Sequence, residues 1–311
     1  MSFDAVLMIA FGGPEKPEDI RPFLANVTRG RPVPPARIEE VAHHYELVGG
    51  RSPLNEWTFK QARALETALK RSNVPPFQRP NVVFVGMRNW HPYLVDTVRD
   101  MAAAGVKRAI GLIMAPQQSQ ASWELYQKNV ADAIAEAGVA LNVAYAPPVF
   151  DYPLFIEAAA DRVRAAMEQI PAEHRDRAMI VFTAHSVPHA DPFHQRYAEQ
   201  VATSARLVAE RLQHPRWMVA YQSRSGRPTD PWLEPDIGDA LRDLAAQGER
   251  YVVVVPIGFL CDHVEVLYDL DIEARSVAEQ LGIQMVRAKT VHDDPKFIQA
   301  LTEIVWSVVN G

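Results

Sequence analysis

With 311 residues, 48% of them hydrophobic, and a formal net charge of -6, the chain has material for about two domains with substantial cores and lacks the basic excess of a nucleic-acid-binding protein. Cys261 is its only cysteine, which excludes an intramolecular disulfide, a cysteine zinc knuckle and an iron-sulfur cluster held by the chain's own thiolates. No apolar run approaches the ~18 residues of a membrane span; the longest, 252–261, is interrupted by Pro256 and Gly258, and a cytoplasmic protein is expected.

The N-terminus, MSFDAVLMIAFGG, carries Asp4 and no basic residue ahead of its apolar run, so it reads as a first strand and not as a signal peptide. Apolar, β-branched runs recur at 5–10, 82–86, 109–114, 141–145, 179–183, 217–221, 251–255 and 283–286. Their hydrophobicity is continuous and not alternating, which marks strands covered on both faces. Helical patterns stand between most of them, at 57–71, 92–104, 122–137, 155–169, 195–213 and 236–247. Such alternation predicts parallel βαβ units.

The runs divide four and four about Pro147 and Pro148. The predicted fold is therefore α/β, with two similar Rossmann-like domains, each a four-stranded parallel sheet flanked by helices. The N-terminal domain covers 1–147 and the C-terminal domain 148–294, and the last helix, 295–311, is a candidate to pack back on the first domain. The stretch 13–57 breaks the pattern. It is rich in proline and arginine (TRGRPVPPARIEE), and an insertion of that length reads as a lid or a binding wall.

Open parallel sheets bind ligands beyond the carboxyl ends of their strands, and two strand ends in the second half carry reactive groups there. The stretch 179–188 (MIVFTAHSVP) delivers His185; the stretch 252–271 (VVVVPIGFLCDHVEVLYDLD) runs from a strand through a loop into a helix that opens with Asp262, His263 and Glu265. A lone histidine after a strand is more often a packing residue. A histidine and a His-x-Glu at two strand ends together suggest proton and metal chemistry, because a neutral imidazole accepts protons near neutral pH and ligates transition metals.

Asp262 and Glu265 also fit a capping box, with Asp262 as N-cap and Glu265 at N3, and the two readings are compatible. Glu265, Asp269 and Glu273 share one helix face, as a solvated stripe or as an oxygen track for a hydrated divalent cation. His189 and His194 read as surface residues. Phe11-Gly12-Gly13-Pro14 lacks the G-x-G-x-x-G spacing, which disfavours a dinucleotide site; no H-E-x-x-H or G-x-S-x-G occurs either.

These motifs resemble those of the ferrochelatases, which insert ferrous iron into a porphyrin. The matching segments are LMIAFGGP (7–14), NVTRGR (26–31), HYELVGGRSPLNEWT (44–58), GMRNWHP (86–92), TAHSVP (183–188), YQSRSGRPTDPWLEP (221–235) and PIGFLCDHVEVLYDLD (256–271). They run in family order along nearly the whole chain. The resemblance implies an active-site cleft between the two domains, with His185 and Glu265 as the catalytic and metal-handling pair facing each other across it and Phe11, Thr28, Arg29, His44, Tyr45, Ser52 and Tyr126 forming a porphyrin wall.

In that resemblance Tyr45, Ser52 and Tyr126, with Arg29 or Arg31, look like partners for the propionates, and Trp232 like a wall or a brace. It further implies ferrous iron as substrate with no required cofactor and no iron-sulfur cluster. A monomer is expected, with a porphyrin partner that is coproporphyrin III or protoporphyrin IX. Coproporphyrin III is favoured by NVTRGR and by the short chain without a cysteine-bearing tail. Phe11 stands where members acting on coproporphyrin III carry tyrosine, Asn89 where some relatives carry histidine, and His44 where many carry arginine. A chelatase for another tetrapyrrole or metal, such as cobalt, and a non-catalytic porphyrin or haem carrier are the competing readings.

Overall fold

A computed structural model describes residues 3–71, 82–226 and 229–311; Arg227 and Pro228 of the 221–235 motif lie outside them. In chain order the first elements are β1 (Ala5–Ala10), α1 (Ile20–Val27), α2 (Pro35–Leu47), α3 (Leu54–Arg71), β2 (Val83–Met87), α4 (Leu94–Ala103), β3 (Arg108–Ile113), α5 (Leu125–Ala137) and β4 (Asn142–Tyr145). Then come α6 (Pro153–Met167), β5 (Met179–His185), α7 (His194–Leu212), β6 (Trp217–Gln222), α8 (Ile237–Ala246), β7 (Tyr251–Val255), α9 (Val264–Tyr268), α10 (Arg275–Gln280), β8 (Gln284–Arg287) and α11 (Pro295–Asn310).

The strands make two four-stranded sheets, ordered β2–β1–β3–β4 and β6–β5–β7–β8, and every pairing is parallel. The two inner strands of each sheet are almost wholly buried, as strands with helices on both faces must be. In each sheet the chain steps to one side of its first strand and then to the other. The strand order therefore reverses between β1 and β3, and again between β5 and β7, and such a switch point opens a crevice at the carboxyl ends of those strands.

By contacts the chain forms two units. Unit 1 comprises Met1–Ala115, Ala121–Pro148 and Asp293–Gly311; unit 2 comprises Pro116–Gln120 and Val149–His292. In unit 1 the core gathers Leu7, Ile9, Val98, Met101, Ile113 and Val130. The helix α11 packs on α3 and β3 through Phe297, Leu301, Ile304 and Val305, a helical spacing of apolar residues. In unit 2 the core gathers Val181, Leu241, Val252, Val254, Val266 and Leu270. Pro116–Gln120 is bound within that unit, since Gln117 Nε2 donates to Ser204 Oγ at 3.3 Å and the Gln118 amide to Gln200 Oε1 at 2.8 Å.

Three local features depart from the sequence reading. The stretch 13–57 is largely helical, holding α1 and α2 after a short 3-10 turn at Pro17–Asp19. Pro35 occupies the first turn of α2, where a missing N–H costs nothing. The helix α3 starts earlier than its apolar period, since Asn55 and Thr58 are buried on its inner face and bonded there. Finally, the acidic helix after β7 begins at Val264 and passes into a wider π-helical turn at Asp269–Ala274 before α10. Turns of that kind concentrate at functional sites.

Between β7 and α9 the chain closes tightly on β5. The Gly258 amide donates to Thr183 O at 3.0 Å, and a Cβ at Gly258 would sit 2.6 Å from Ala184 Cβ and 2.7 Å from its Cα. Gly258→Ala should therefore push the end of β5 aside and cost about 1–3 kcal/mol. Urea unfolding checks this, and an unchanged midpoint would mean that the loop yields freely.

Candidate active site

In unit 2, β5 and β7 are hydrogen-bonded neighbours, with Phe182 opposite Val255, so the residues just beyond them emerge side by side. His185 ends β5 and Glu265 lies in the first turn of α9. Their side chains stand with His185 Nε2 3.9 Å from Glu265 Oε1, at 34% and 40% exposure. Both are thus open to a ligand.

The His185 ring is oriented by its other nitrogen. Nδ1 is bonded to the Ser186 carbonyl, and because a carbonyl only accepts, Nδ1 must carry the proton. In the neutral ring Nε2 is then the free lone pair, on the edge that faces Glu265. Tyr197 OH donates to His185 O at 3.0 Å. Burial, with the negative charges of Glu265 and Asp191 adding to it, pushes the Tyr197 phenol far above its ordinary range. It stays a neutral donor and anchors the end of the strand.

The cap of α9 is His263 and not Asp262. His263 Nδ1 accepts from the Glu265 amide at 3.2 Å, and burial lowers the imidazole below its ordinary value, against the pull of Glu265 and Asp262, so the capping nitrogen keeps its lone pair. The expected capping box fails because the Asp262 carboxylate is engaged elsewhere. It receives Arg287 Nη1 at 3.0 and 3.2 Å and the Thr290 hydroxyl at 2.9 Å, with His292 Nε2 at 3.5 Å. Burial alone would raise this carboxyl, but His292, Arg287 and Thr290 together hold it well below the usual range.

Asp269 behaves in the opposite way. Burial, augmented by the charges of Glu265 and Glu273, pushes it up to about 7, although the Ser223 hydroxyl bonded to it and His185 pull it down. Ser223 has a left-handed backbone, with φ 61, and follows directly on β6. Gln222, the last residue of β6, donates Nε2 to Glu265 O at 2.9 Å. The reading of Glu265, Asp269 and Glu273 as a merely solvated stripe therefore fails at Asp269. His189 is exposed and His194 partly buried, their rings stacked with centroids 5.1 Å apart.

The residues expected to face a porphyrin all lie in unit 1. Phe11 follows β1 and meets Phe23 edge to face, as Tyr45 and Trp90 do, at centroid distances of 6.2, 6.0 and 6.2 Å. The Arg88 guanidinium lies 5.7 Å from the Phe11 ring and 4.8 Å from that of Tyr126, within cation–π range. Phe11, Tyr45 and Tyr126 are thus joined through Phe23 and Arg88. Asn89 braces Phe11, whose carbonyl accepts from its amide at 3.0 Å and its side chain at 3.3 Å.

Ser52 is buried behind Gly13, where a Cβ would meet its own Cβ at 2.8 Å. The Gly13 amide is taken by Asn55 Oδ1 at 2.9 Å, which agrees with the absence of a phosphate loop. Thr28 donates its hydroxyl to Leu24 O at 2.7 Å, and Arg29, exposed, donates to Asn26 Oδ1 at 2.6 Å. Burial, followed by Arg37, lowers the His44 imidazole against the opposing pull of Glu40, so it offers no cation at neutral pH. Trp232 pairs with Pro188 in an isolated bridge.

Sequence reasoning missed Arg88, Tyr197, Gln222, Ser223, Arg287 and Thr290. Three of these, Arg88, Gln222 and Ser223, lie within motifs already marked. Arg287 had a signal of its own, since an arginine closing an apolar strand must find carboxylates when it is buried.

A ferrochelatase family model matches residues 3–308. Over its full length the chain is 43% identical to the coproporphyrin III ferrochelatase of Nocardia farcinica, covering 90% of that protein. It is 45% identical to that of Frankia alni, with 99% of this chain and 80% of the relative aligned, and 42% identical to that of Mycolicibacterium smegmatis, with 100% and 91% aligned. Among solved structures, the sirohydrochlorin chelatase SirB from Bacillus subtilis subspecies spizizenii in complex with cobalt aligns with a TM-score of 0.57 at 12% identity, covering 100% of this chain and 96% of that one. SirB from Bacillus subtilis with Fe3+ gives a TM-score of 0.60 at 12% identity, covering 99% and 96%. At such identity the likeness is one of fold.

Asp269 supplies a stability test. In the unfolded chain it ionises near the ordinary ~3.9, whereas in the folded protein it keeps its proton to about 7. Between those values the folded state binds more protons, so this group's contribution to stability falls as pH rises. Asp269→Asn should leave stability little changed at pH 4 and raise it at pH 8, on the order of 1 kcal/mol after allowance for partial solvent access. Urea unfolding of the metal-free protein at both pH values checks the sign, and a difference that does not vary with pH would contradict it.

Proposed function

The chain belongs to the ferrochelatase family, and on that premise we propose that it inserts ferrous iron into coproporphyrin III for haem biosynthesis. The proposed setting is the cytoplasm, where the protein acts as a monomer without a resident cofactor. No helix among the described residues is long and apolar enough to cross a membrane. The observation that carries the reading is the geometry of His185, whose Nδ1 is bonded to the Ser186 carbonyl so that the opposite ring nitrogen, Nε2, is turned toward a carboxylate at 3.9 Å.

Metal insertion must remove two pyrrole N–H protons while the ring nitrogens present their lone pairs to the metal. Binding energy from the rest of the macrocycle can bend the ring toward that geometry. His185 Nε2 accepts one pyrrole proton as general base, releases it to solvent and is then free to take the second. Glu265, held by the His263 cap and by Gln222, stabilises the imidazolium that forms and offers oxygen to incoming iron. Asp269 and Glu273 lead toward this pair and supply further oxygen ligands to a hydrated cation. Tyr45, Ser52 and Tyr126, with Arg29 or Arg31, are assigned to the propionates, and Phe11, Thr28 and His44 to the wall beside the ring.

Anaerobic turnover with ferrous iron tests the reading. His185→Ala should lower iron insertion by about 100-fold or more while coproporphyrin III still binds, and normal turnover in that variant would remove His185 from the mechanism. Glu265→Gln should show a loss of about tenfold or more at unchanged porphyrin affinity; a rate within about twofold of wild type would reduce Glu265 to a helix-end residue. Comparison of coproporphyrin III with protoporphyrin IX should favour the former in kcat/KM, and the reverse ranking would reassign the substrate. A porphyrin spectrum that shifts on binding without faster metallation would identify a carrier.

A further inference from the structure

Arg287 closes β8, the strand beside β7, and it is nearly buried, with a side-chain exposure of 10%. Its guanidinium makes two separate carboxylate contacts. One edge is bidentate to Asp271, with Nε to Oδ1 at 2.9 Å and Nη2 to Oδ2 at 2.7 Å. The other side, Nη1, reaches both oxygens of Asp262 at 3.2 and 3.0 Å. Asp262 and Asp271 flank the segment that carries His263, Glu265 and Asp269.

We propose that Arg287 is a positioning residue for the reaction, a clamp that ties both ends of the acidic segment to the sheet and thereby sets where His263 and Glu265 stand relative to His185. The inference rests on the assignment of His185 and Glu265 made above. Three observations support it. Asp262 is adjacent to His263, whose ring caps α9 through the Glu265 amide, so a shift of Asp262 is passed directly to the Glu265 backbone. Asp271 lies in the π-helical turn that also carries Asp269, so the second contact fixes the far end of the same segment. The segment opens with only one capping bond and passes from α-helical to π-helical geometry partway along. Its own backbone is therefore a weak determinant of where Glu265 points.

Only arginine suits the position. A planar fork can serve two carboxylates in fixed directions at once, whereas an ammonium is a point charge on a flexible stem. The two acids are not helpless without it, which makes the clamp testable. Asp271 also has Arg275, with Nη2 3.6 Å from Oδ1, and Asp262 keeps Thr290 and His292.

The test compares wild type with Arg287→Lys and Asp271→Asn, each assayed well below its own melting temperature. Because a displacement of ~1 Å in catalytic geometry can cost of order 100-fold, Arg287→Lys should lower kcat for iron insertion about tenfold or more with the porphyrin KM within about twofold. Asp271→Asn should give a smaller loss in the same direction, and the double variant should be no slower than Arg287→Lys, as expected for one shared contact. A long-range proton–nitrogen spectrum of the histidines supplies a readout independent of turnover. In wild type His263 should show an unprotonated Nδ1, and that pattern should be lost or mixed with the other tautomer in Arg287→Lys.

A folded Arg287→Lys variant with wild-type kcat, or with an unaltered His263 pattern, overturns the clamp and leaves the network a purely structural one. Wild-type protein that fails to metallate porphyrin would instead overturn the proposed reaction, and the histidine spectra would still decide whether Arg287 sets the geometry.

Discussion

The chemistry of unit 2 depends on how closely the chain leaving β7 can approach the end of β5. That approach is set at Gly258, whose missing side chain lets the turn lie against Ala184 while its amide bonds to Thr183 O. His185 follows Ala184 directly, and the turn leads within a few residues to Asp262, His263 and Glu265. The Gly258 contact thus brings the two chain segments that carry His185 and Glu265 close together. It does not require the two side chains to seek each other, and their mutual distance of 3.9 Å is too long for a direct hydrogen bond. A pair held apart by its scaffold keeps its lone pairs for a ligand.

The same short stretch of chain holds its carboxylates in two different states. Asp262 is surrounded by donors and kept ionised; Asp269 has the Ser223 hydroxyl as its close donor but lies near Glu265 and Glu273, and it holds its proton up to about 7. Burial acts against ionisation in both, and the neighbouring charges decide the outcome. Charged, Asp262 anchors the segment through a nearly buried arginine; partly neutral, Asp269 limits repulsion along a face that would otherwise carry three like charges.

In unit 1 the corresponding switch point carries aromatic packing instead of acids. Phe11 emerges from β1 into edge-to-face contact with Phe23 and beneath the Arg88 guanidinium, and Asn89 holds its carbonyl. The arrangement is apolar at its centre, with a cation beside it. The Gly13 amide, a backbone donor of the kind a phosphate would use, is occupied by Asn55 Oδ1.

Much of this was legible in the residues alone. Continuous apolar runs declare two-sided burial because a strand packed on both faces has no polar side to show, and their alternation with helical periods leads to two parallel sheets. His185 and Glu265 stand out because they fall just past strand ends, a position that depends only on where an apolar run stops. What the sequence could not reveal depends on contacts between distant positions. Asp262 fits a helix cap although Arg287 and Thr290 claim it, and Asp269 fits a solvated stripe although Ser223 is bonded to it. Each of these was decided by tertiary structure, because a polar group takes the best partner that folding brings within hydrogen-bond reach, and sequence distance carries no information about which partner that is.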